Sequence, residues 1–106
     1  MNKPFVKALA PEQSSSTGLI KPPESLKIKS GLVMLNSGEE VGTHSTENRE
    51  EILVVLEGSG RLIIQDHDPL EISGGHIAYV PPHSIHNVVN DNSRLLRYIY
   101  IVSPAE

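Results

Sequence analysis

The feature that most restricts how this chain can fold is the regularity with which its apolar segments are cut short. From Leu26 onward the runs "LKIKSGLVML", "EILVVLE", "RLIIQ", "LEIS", "HIAYV", "HNVVN" and "LLRYIYIV" alternate with connectors such as "NSGEEVG", "GSG", "DHDP", "GG", "PPHS" and "NDNS". Every connector holds Gly, Pro, Asn or Asp, the residues that give turns their positive or fixed φ angles and their side-chain-to-backbone bonds. No stretch of helical length places apolar residues at i, i+3, i+4 and i+7 without an intervening Gly or Pro. Short strands this closely spaced bury their apolar faces only by closing on one another. An all-β domain, sandwich or barrel, is therefore predicted.

At 106 residues the chain has room for a single core. Residues 11–25, "PEQSSSTGLIKPPES", hold three prolines, a serine run and one glycine. We read residues 1–25 as an N-terminal arm and 26–106 as one domain. Nine basic against thirteen acidic residues leave a net charge of −4, without the basic surface that neutralises phosphates, so nucleic acid is not an expected partner. There is no cysteine, which excludes disulfides and thiolate metal sites; any metal here must use nitrogen and oxygen ligands. The apolar run in "MNKPFVKALAPEQ" is broken by Lys7, and no segment approaches the ~18 apolar residues of a membrane span. A cytoplasmic protein with no membrane partner is expected.

The stretch "GTHSTENREEILVVLEGSG", residues 42–60, sets His44 seven positions before Glu51 at the mouth of an apolar run. Alternation puts Glu51, Leu53 and Val55 on one face of that strand and Glu50, Ile52, Val54 and Leu56 on the other. Both faces are apolar, so a glutamate at the strand's start is either at the rim or held by something positive. Seven is an odd separation. His44 and Glu51 share a face only if "STENRE" turns the chain, and a hairpin end would let both point inward. A second histidine, His86, begins a run after "PPHS" in which His86 and Val88 face one way. Each residue also has a purely structural role open to it. His44 reads as an exposed turn histidine, Glu51 as a rim carboxylate paired with Arg49 or Arg61, and His86 as a core histidine bonded to backbone carbonyls. On the last strand Tyr98 and Tyr100 share a face with Leu96 and Val102, and a place in a dimer interface is expected of them before a ligand contact. Tyr79 is expected to line the cavity. Leu53, Val55, Leu62, Ile64 and Val88 would give an aliphatic wall suited to a small organic molecule.

These residues carry a family resemblance. The stretch from Gly38 resembles the first motif of the cupin superfamily: glycine, five residues, His-x-His, three or four residues, Glu, six residues, Gly. Gly38, His44, Glu51 and Gly58 fall on it. "GHIAYVPPHSIHNVVN" is similar to the second motif through Gly75, Pro81, His86 and Asn90, and the sixteen residues between Gly58 and Gly75 resemble the short gap of small single-domain bacterial members. The resemblance implies a double-stranded β-helix, or jelly roll. It also implies a divalent transition metal, iron, manganese, nickel or zinc, held inside the barrel by His44, Glu51 and His86. Two positions depart from the motif. Thr46 stands where the second histidine of His-x-His belongs, and a hydroxyl is a poor ligand beside imidazole. His83 stands where glycine often follows the proline pair, as a fourth ligand or as a solvent-facing residue. The remaining two imidazoles and one carboxylate match the set that leaves iron(II) open positions in non-haem oxygenases. By resemblance the chain is a metal-binding protein acting on a small organic molecule, with dioxygenase and isomerase chemistry both represented in the family. The alternative is a metal-poor binding or sensing module in which Thr46 marks loss of the metal. The arm and the exposed sheet edges of such folds point to a homodimer. No general base is assigned.

Overall fold

The structure is a computed structural model that describes residues 2–9 and 15–106; residues 1 and 10–14, all within the segment read as the arm, lie outside the described residues. Nine strands follow one another: β1 (Thr17–Ile20), β2 (Lys29–Leu35), β3 (His44–Ser45), β4 (Arg49–Glu57), β5 (Ser59–Ile64), β6 (Leu70–Ser73), β7 (Ile77–Val80), β8 (Ile85–Val89) and β9 (Leu96–Pro104). No helix occurs among the described residues. The strands form a five-stranded sheet, β1-β2-β9-β4-β7, and a four-stranded sheet, β3-β8-β5-β6, with antiparallel pairing throughout. This is the all-β, double-stranded β-helix expected of the chain. β1 lies within the arm segment and pairs with β2 through Thr17 opposite Leu32 and Gly18 opposite Gly31.

Alternation sorts each sheet into an inner and an outer face. Leu35, Leu53, Val55, Val80, Leu96 and Tyr98 point inward from the larger sheet. They meet Leu62, Ile64, Ile72 and Val88 from the smaller one in a single core, every member at most 8% exposed. The order of residues along that core positions the site. At one end of the barrel, Val80, Glu51, Val102 and Lys29 are successive register partners across the larger sheet, while His44, His86 and Ile64 are partners across the smaller. A carboxylate and two imidazoles thus occupy the end row of the same two faces that Leu53, Leu62 and Val88 fill further in. The core is continuous with the site.

The motif glycines have structural roles. Gly38, Gly58 and Gly75 all have φ between +81° and +90°. Gly58 is the most constrained, because a Cβ there would also lie 2.0 Å from the Leu95 carbonyl oxygen. Asn90, 1% exposed, bonds the backbone of its own turn and reaches beyond it. Its Nδ2 donates to the carbonyls of Arg94 and Leu35, both at 2.8 Å, and its Oδ1 accepts from the Asn92 amide. It ties the β8–β9 turn to the end of β2.

Candidate metal centre

His44 opens β3, a two-residue edge strand whose partner in register is His86 on β8, so both rings leave the same face of the smaller sheet. Glu51 comes from β4 on the opposite sheet. The link between His44 and Glu51 is not the hairpin end expected from the sequence. The chain crosses from one sheet to the other at 46–48, with Glu47 at φ +54° and the Arg49 amide bonded to the Thr46 carbonyl. Alternation does not carry across a change of sheet, which is why an odd separation brings both side chains inside. The donor atoms of His44, Glu51 and His86 all lie within 4.8 Å of one another.

Second contacts orient both rings. His44 Nδ1 is 2.8 Å from the Gly42 carbonyl oxygen and His86 Nδ1 is 3.1 Å from that of Ser84. A ring that donates Nδ1–H to a carbonyl keeps Nε2 as a free lone pair, the arrangement typical of metal-ligating histidines. The rings stand 4.2 Å apart between centroids at 53°. His86 Nε2 is buried without a hydrogen-bond partner and lies 3.7 Å from Glu51 Oε1, too far for a hydrogen bond. Such an orphan costs ~1–3 kcal/mol unless something unseen satisfies it. Two nitrogen donors and a carboxylate around one point suit a divalent transition metal; ligands bonded at ~2.1 Å sit ~3–3.4 Å apart, so small side-chain rotations would close the set. The residues present fit the ion. Without it, burial lowers the His86 pKa, but the Glu51 carboxylate and the Ser84 carbonyl outweigh burial and raise it above the ordinary imidazole value.

The triad lines a cavity of about 300 Å³. Val33, Val41, Val88, Val102, Tyr98 and Tyr100 line it as well, together with buried Thr46, half-buried Ser45 and, at the exposed rim, Lys29 and Arg49. Of the five aliphatic residues expected to form the wall, only Val88 does so. Leu53, Val55, Leu62 and Ile64 pack deeper, as core. Tyr98 is 2% exposed and faces the interior, with Tyr100 two positions on, so neither takes the interface role expected of them. Burial first, and then the nearby Glu51 carboxylate, raise both phenol pKa values, which keeps the hydroxyls protonated as donors. Tyr79 departs from expectation in the opposite direction. It lies on the outer face, 52% exposed, and donates to Glu50.

The remaining assignments divide cleanly. Arg61 pairs with Glu71 and Asp91, not with Glu51, and Arg49 makes no ion pair among the described residues. His83 sits at φ +55° on the outside of its loop, its Nε2 2.9 Å from Glu106 Oε1, and is not part of the donor group. His67 and His76 are exposed. Thr46, 6% exposed, uses its hydroxyl on the second-motif loop: it donates to the Pro81 carbonyl at 2.7 Å and accepts from the Ser84 amide at 3.0 Å. Lys29 was not singled out in the sequence, and Arg49 was considered only as a partner for Glu51. The alternation of Lys29 with Gly31 and of Arg49 with Glu51 was the signal available for both.

A family model described as "Cupin domain" matches residues 31–102. No curated protein sequence matches the chain. Among solved structures, an RmlC-like cupin family protein from Methanocaldococcus jannaschii superposes with a TM-score of 0.80 at 21% identity, covering 96% of this chain and 92% of that one. A Cupin 2 conserved barrel domain protein from Salinispora arenicola gives 0.79 at 20% identity, over 98% and 92%. The Cnp3 cupin domain of Schizosaccharomyces pombe gives 0.75 at 16%, over 87% of this chain and 66% of that one. At these identities the likeness is one of fold, and the match over residues 31–102 adds the lineage: the chain belongs to the cupin family.

Proposed function

We propose that the chain is a metal-binding cupin that holds one divalent transition metal through His44, Glu51 and His86 and uses it on a small organic molecule admitted to the cavity beside it. The observation that carries this reading is the buried, unpartnered Nε2 of His86, aimed into a cluster whose other two members are a carboxylate and an imidazole already fixed through its Nδ1. Bound there, the ion would supply Lewis-acid polarisation of a substrate oxygen, or a site for dioxygen if it is iron. The protein's own contribution is positional. Gly42 and Ser84 carbonyls hold the rings, the valines give the cavity an apolar lining, and the protonated hydroxyls of Tyr98 and Tyr100 offer hydrogen bonds to whatever lies against the triad. Glu51 is the only carboxylate lining the cavity among the described residues, so once it is a ligand no second acid is at hand to act as a general base. The lining therefore suits a reaction that takes its activation from the ion, of dioxygenase or isomerase type, with no step assigned to a second carboxylate.

Elemental analysis of protein purified without chelator tests the metal. About one iron, manganese, nickel or zinc per chain is expected, lost in Glu51→Ala and in His86→Ala. Wild-type protein that carries no metal and takes none up would leave the cavity as the binding site of a metal-free sensing module.

We also propose a homodimer built on the outer face of the five-stranded sheet. Ile77 is 71% exposed there beside Tyr79, and half-buried Ile52, Val54, Ile99 and Ile101 continue the same surface across β4 and β9. An apolar face of that continuity matches a copy of itself under two-fold symmetry. Light scattering should give twice the chain mass, and Ile77→Glu should shift it toward the monomer; a wild-type monomer at micromolar concentration overturns the proposal.

A further inference from the structure

Two cations line the cavity beside the triad, and metal binding leaves their charge unused. Lys29 and Arg49 both line the rim. Lys29 shares its strand face with inward-pointing Gly31 and Val33, and Arg49 shares its face with Glu51 and Leu53. Lys29 lies in the same register row as Glu51 with Val102 between them, and Arg49 is one step nearer the mouth, opposite Pro104. Strand spacing and rise put the two Cα atoms roughly 12 Å apart, a span two long side chains can close around one small anion.

Neither cation makes an ion pair among the described residues. The neighbouring Glu50 points to the outer face, where it accepts from Tyr79. In a chain of net charge −4, two uncompensated cations at one cavity mouth reverse the local sign. Val102 separates Lys29 from Glu51 in their register row, and Val33 and Val41 add apolar lining. A pair of cations beside the triad, with apolar wall around both, suits a small ligand whose anionic group lies close to its other polar end. A volume of about 300 Å³ sets its size at the small end of the range for ligand pockets.

Resting on the proposed use of the triad, we infer that the ligand is a small organic carboxylate. Its carboxylate lies at the mouth between Lys29 and Arg49, and its other end, bearing an oxygen, meets His44, Glu51 and His86. The guanidinium fork can hold both carboxylate oxygens, and the ammonium adds a point charge on the other side.

Calorimetric titration with malonate, succinate and glutarate tests this on metal-free and zinc-loaded protein, with succinamide and inorganic phosphate as comparison probes. At least one dicarboxylate should bind, and the uncharged diamide should bind at least tenfold more weakly. Lys29→Gln and Arg49→Gln, both exposed positions, should each weaken the dicarboxylate about tenfold. Binding to metal-free protein that still depends on both cations supports the carboxylate even if zinc is not taken up, so the two readings fail separately. Zinc uptake with no dicarboxylate binding overturns the inference and leaves the metal centre standing. Dicarboxylate binding indifferent to both substitutions also overturns it, as does phosphate binding as tight as succinate with the same dependence.

Discussion

Replacing Thr46 by valine isolates what the hydroxyl does, because the two side chains have the same shape and no cavity opens. The hydroxyl is the acceptor for the Ser84 amide at 3.0 Å and the donor to the Pro81 carbonyl at 2.7 Å. Valine leaves both backbone groups without a partner. A buried group so orphaned costs ~1–3 kcal/mol, but Pro81 is exposed and Ser84 only half-buried, so water recovers part of the loss. We expect a net cost of about 2 kcal/mol, which for a domain of this size lowers the melting temperature by ~8–16 °C. A second effect follows from Ser84. Its carbonyl accepts from the Thr46 amide and also lies 3.1 Å from His86 Nδ1, so a loosened loop no longer fixes the ring. Loss of such an outer contact typically lowers metal affinity 10–100-fold. Thermal unfolding in chelator reads the first effect and competitive metal titration the second. A melting temperature within about a degree of wild type would refute the loop-fixing role, and a large fall in stability with unchanged metal affinity would refute its coupling to His86.

Two other perturbations follow from the same geometry. Metal requires His86 neutral, whereas in metal-free protein its pKa is raised, so ion uptake should be coupled to proton release and weaken as the pH falls; titration in buffers of different ionisation enthalpy measures the release, which His86→Gln should abolish. The sign reverses for the metal-free fold: the stabilisation that the raised pKa contributes is fully present below the ordinary value of about 6.5 and is lost as the pH rises through the raised one, so the advantage of wild type over His86→Gln in chelator should shrink from pH 5 to pH 8. Gly31→Ala places a Cβ 2.7 Å from the Tyr100 ring, so it should cost about 1–3 kcal/mol in chemical denaturation and displace a cavity wall; unchanged stability and ligand affinity would show that the ring gives way freely.

What the sequence disclosed, and what it withheld, follows from the range over which each signal acts. Turn residues and period-two alternation are local, and they located every strand from β2 onward to within a few residues except the two-residue β3, too short to carry an alternation. His44, Glu51 and His86 were recoverable because motif spacing already encodes a three-dimensional coincidence that no single strand reveals. The misreadings lie where alternation depends on which sheet a strand joins. Tyr79 sits on β7, an edge strand of the larger sheet, and its parity was known; its face was not, because nothing local distinguishes the inner from the outer side of "HIAYV" when both are apolar. Tyr98 and Tyr100 were displaced for the same reason, since the opposite face of β9 offers Ile99 and Ile101 as an equally plausible core.

Thr46 shows how a substitution inside a motif can change the work of a position without removing it. Its hydroxyl joins two backbone groups of the second-motif loop, the Pro81 carbonyl and the Ser84 amide. The hydroxyl satisfies one donor and one acceptor at once, which an imidazole committed to a metal through one nitrogen does not. Giving up that ligand therefore tightens the loop that orients His86. His83 takes the left-handed position where the motif often has glycine; its side chain turns out to Glu106, and the bond from its amide to the Glu47 carbonyl at 2.7 Å is one that glycine would make equally. The Thr46 departure alone adds side-chain contact between the 46–48 crossover and the 81–84 loop, the two segments that carry the chain into Glu51 and His86. A site that had merely decayed would be expected to lose such contacts. Their presence around a triad with an unsatisfied buried nitrogen supports the proposed three-ligand centre over a four-ligand centre in disrepair.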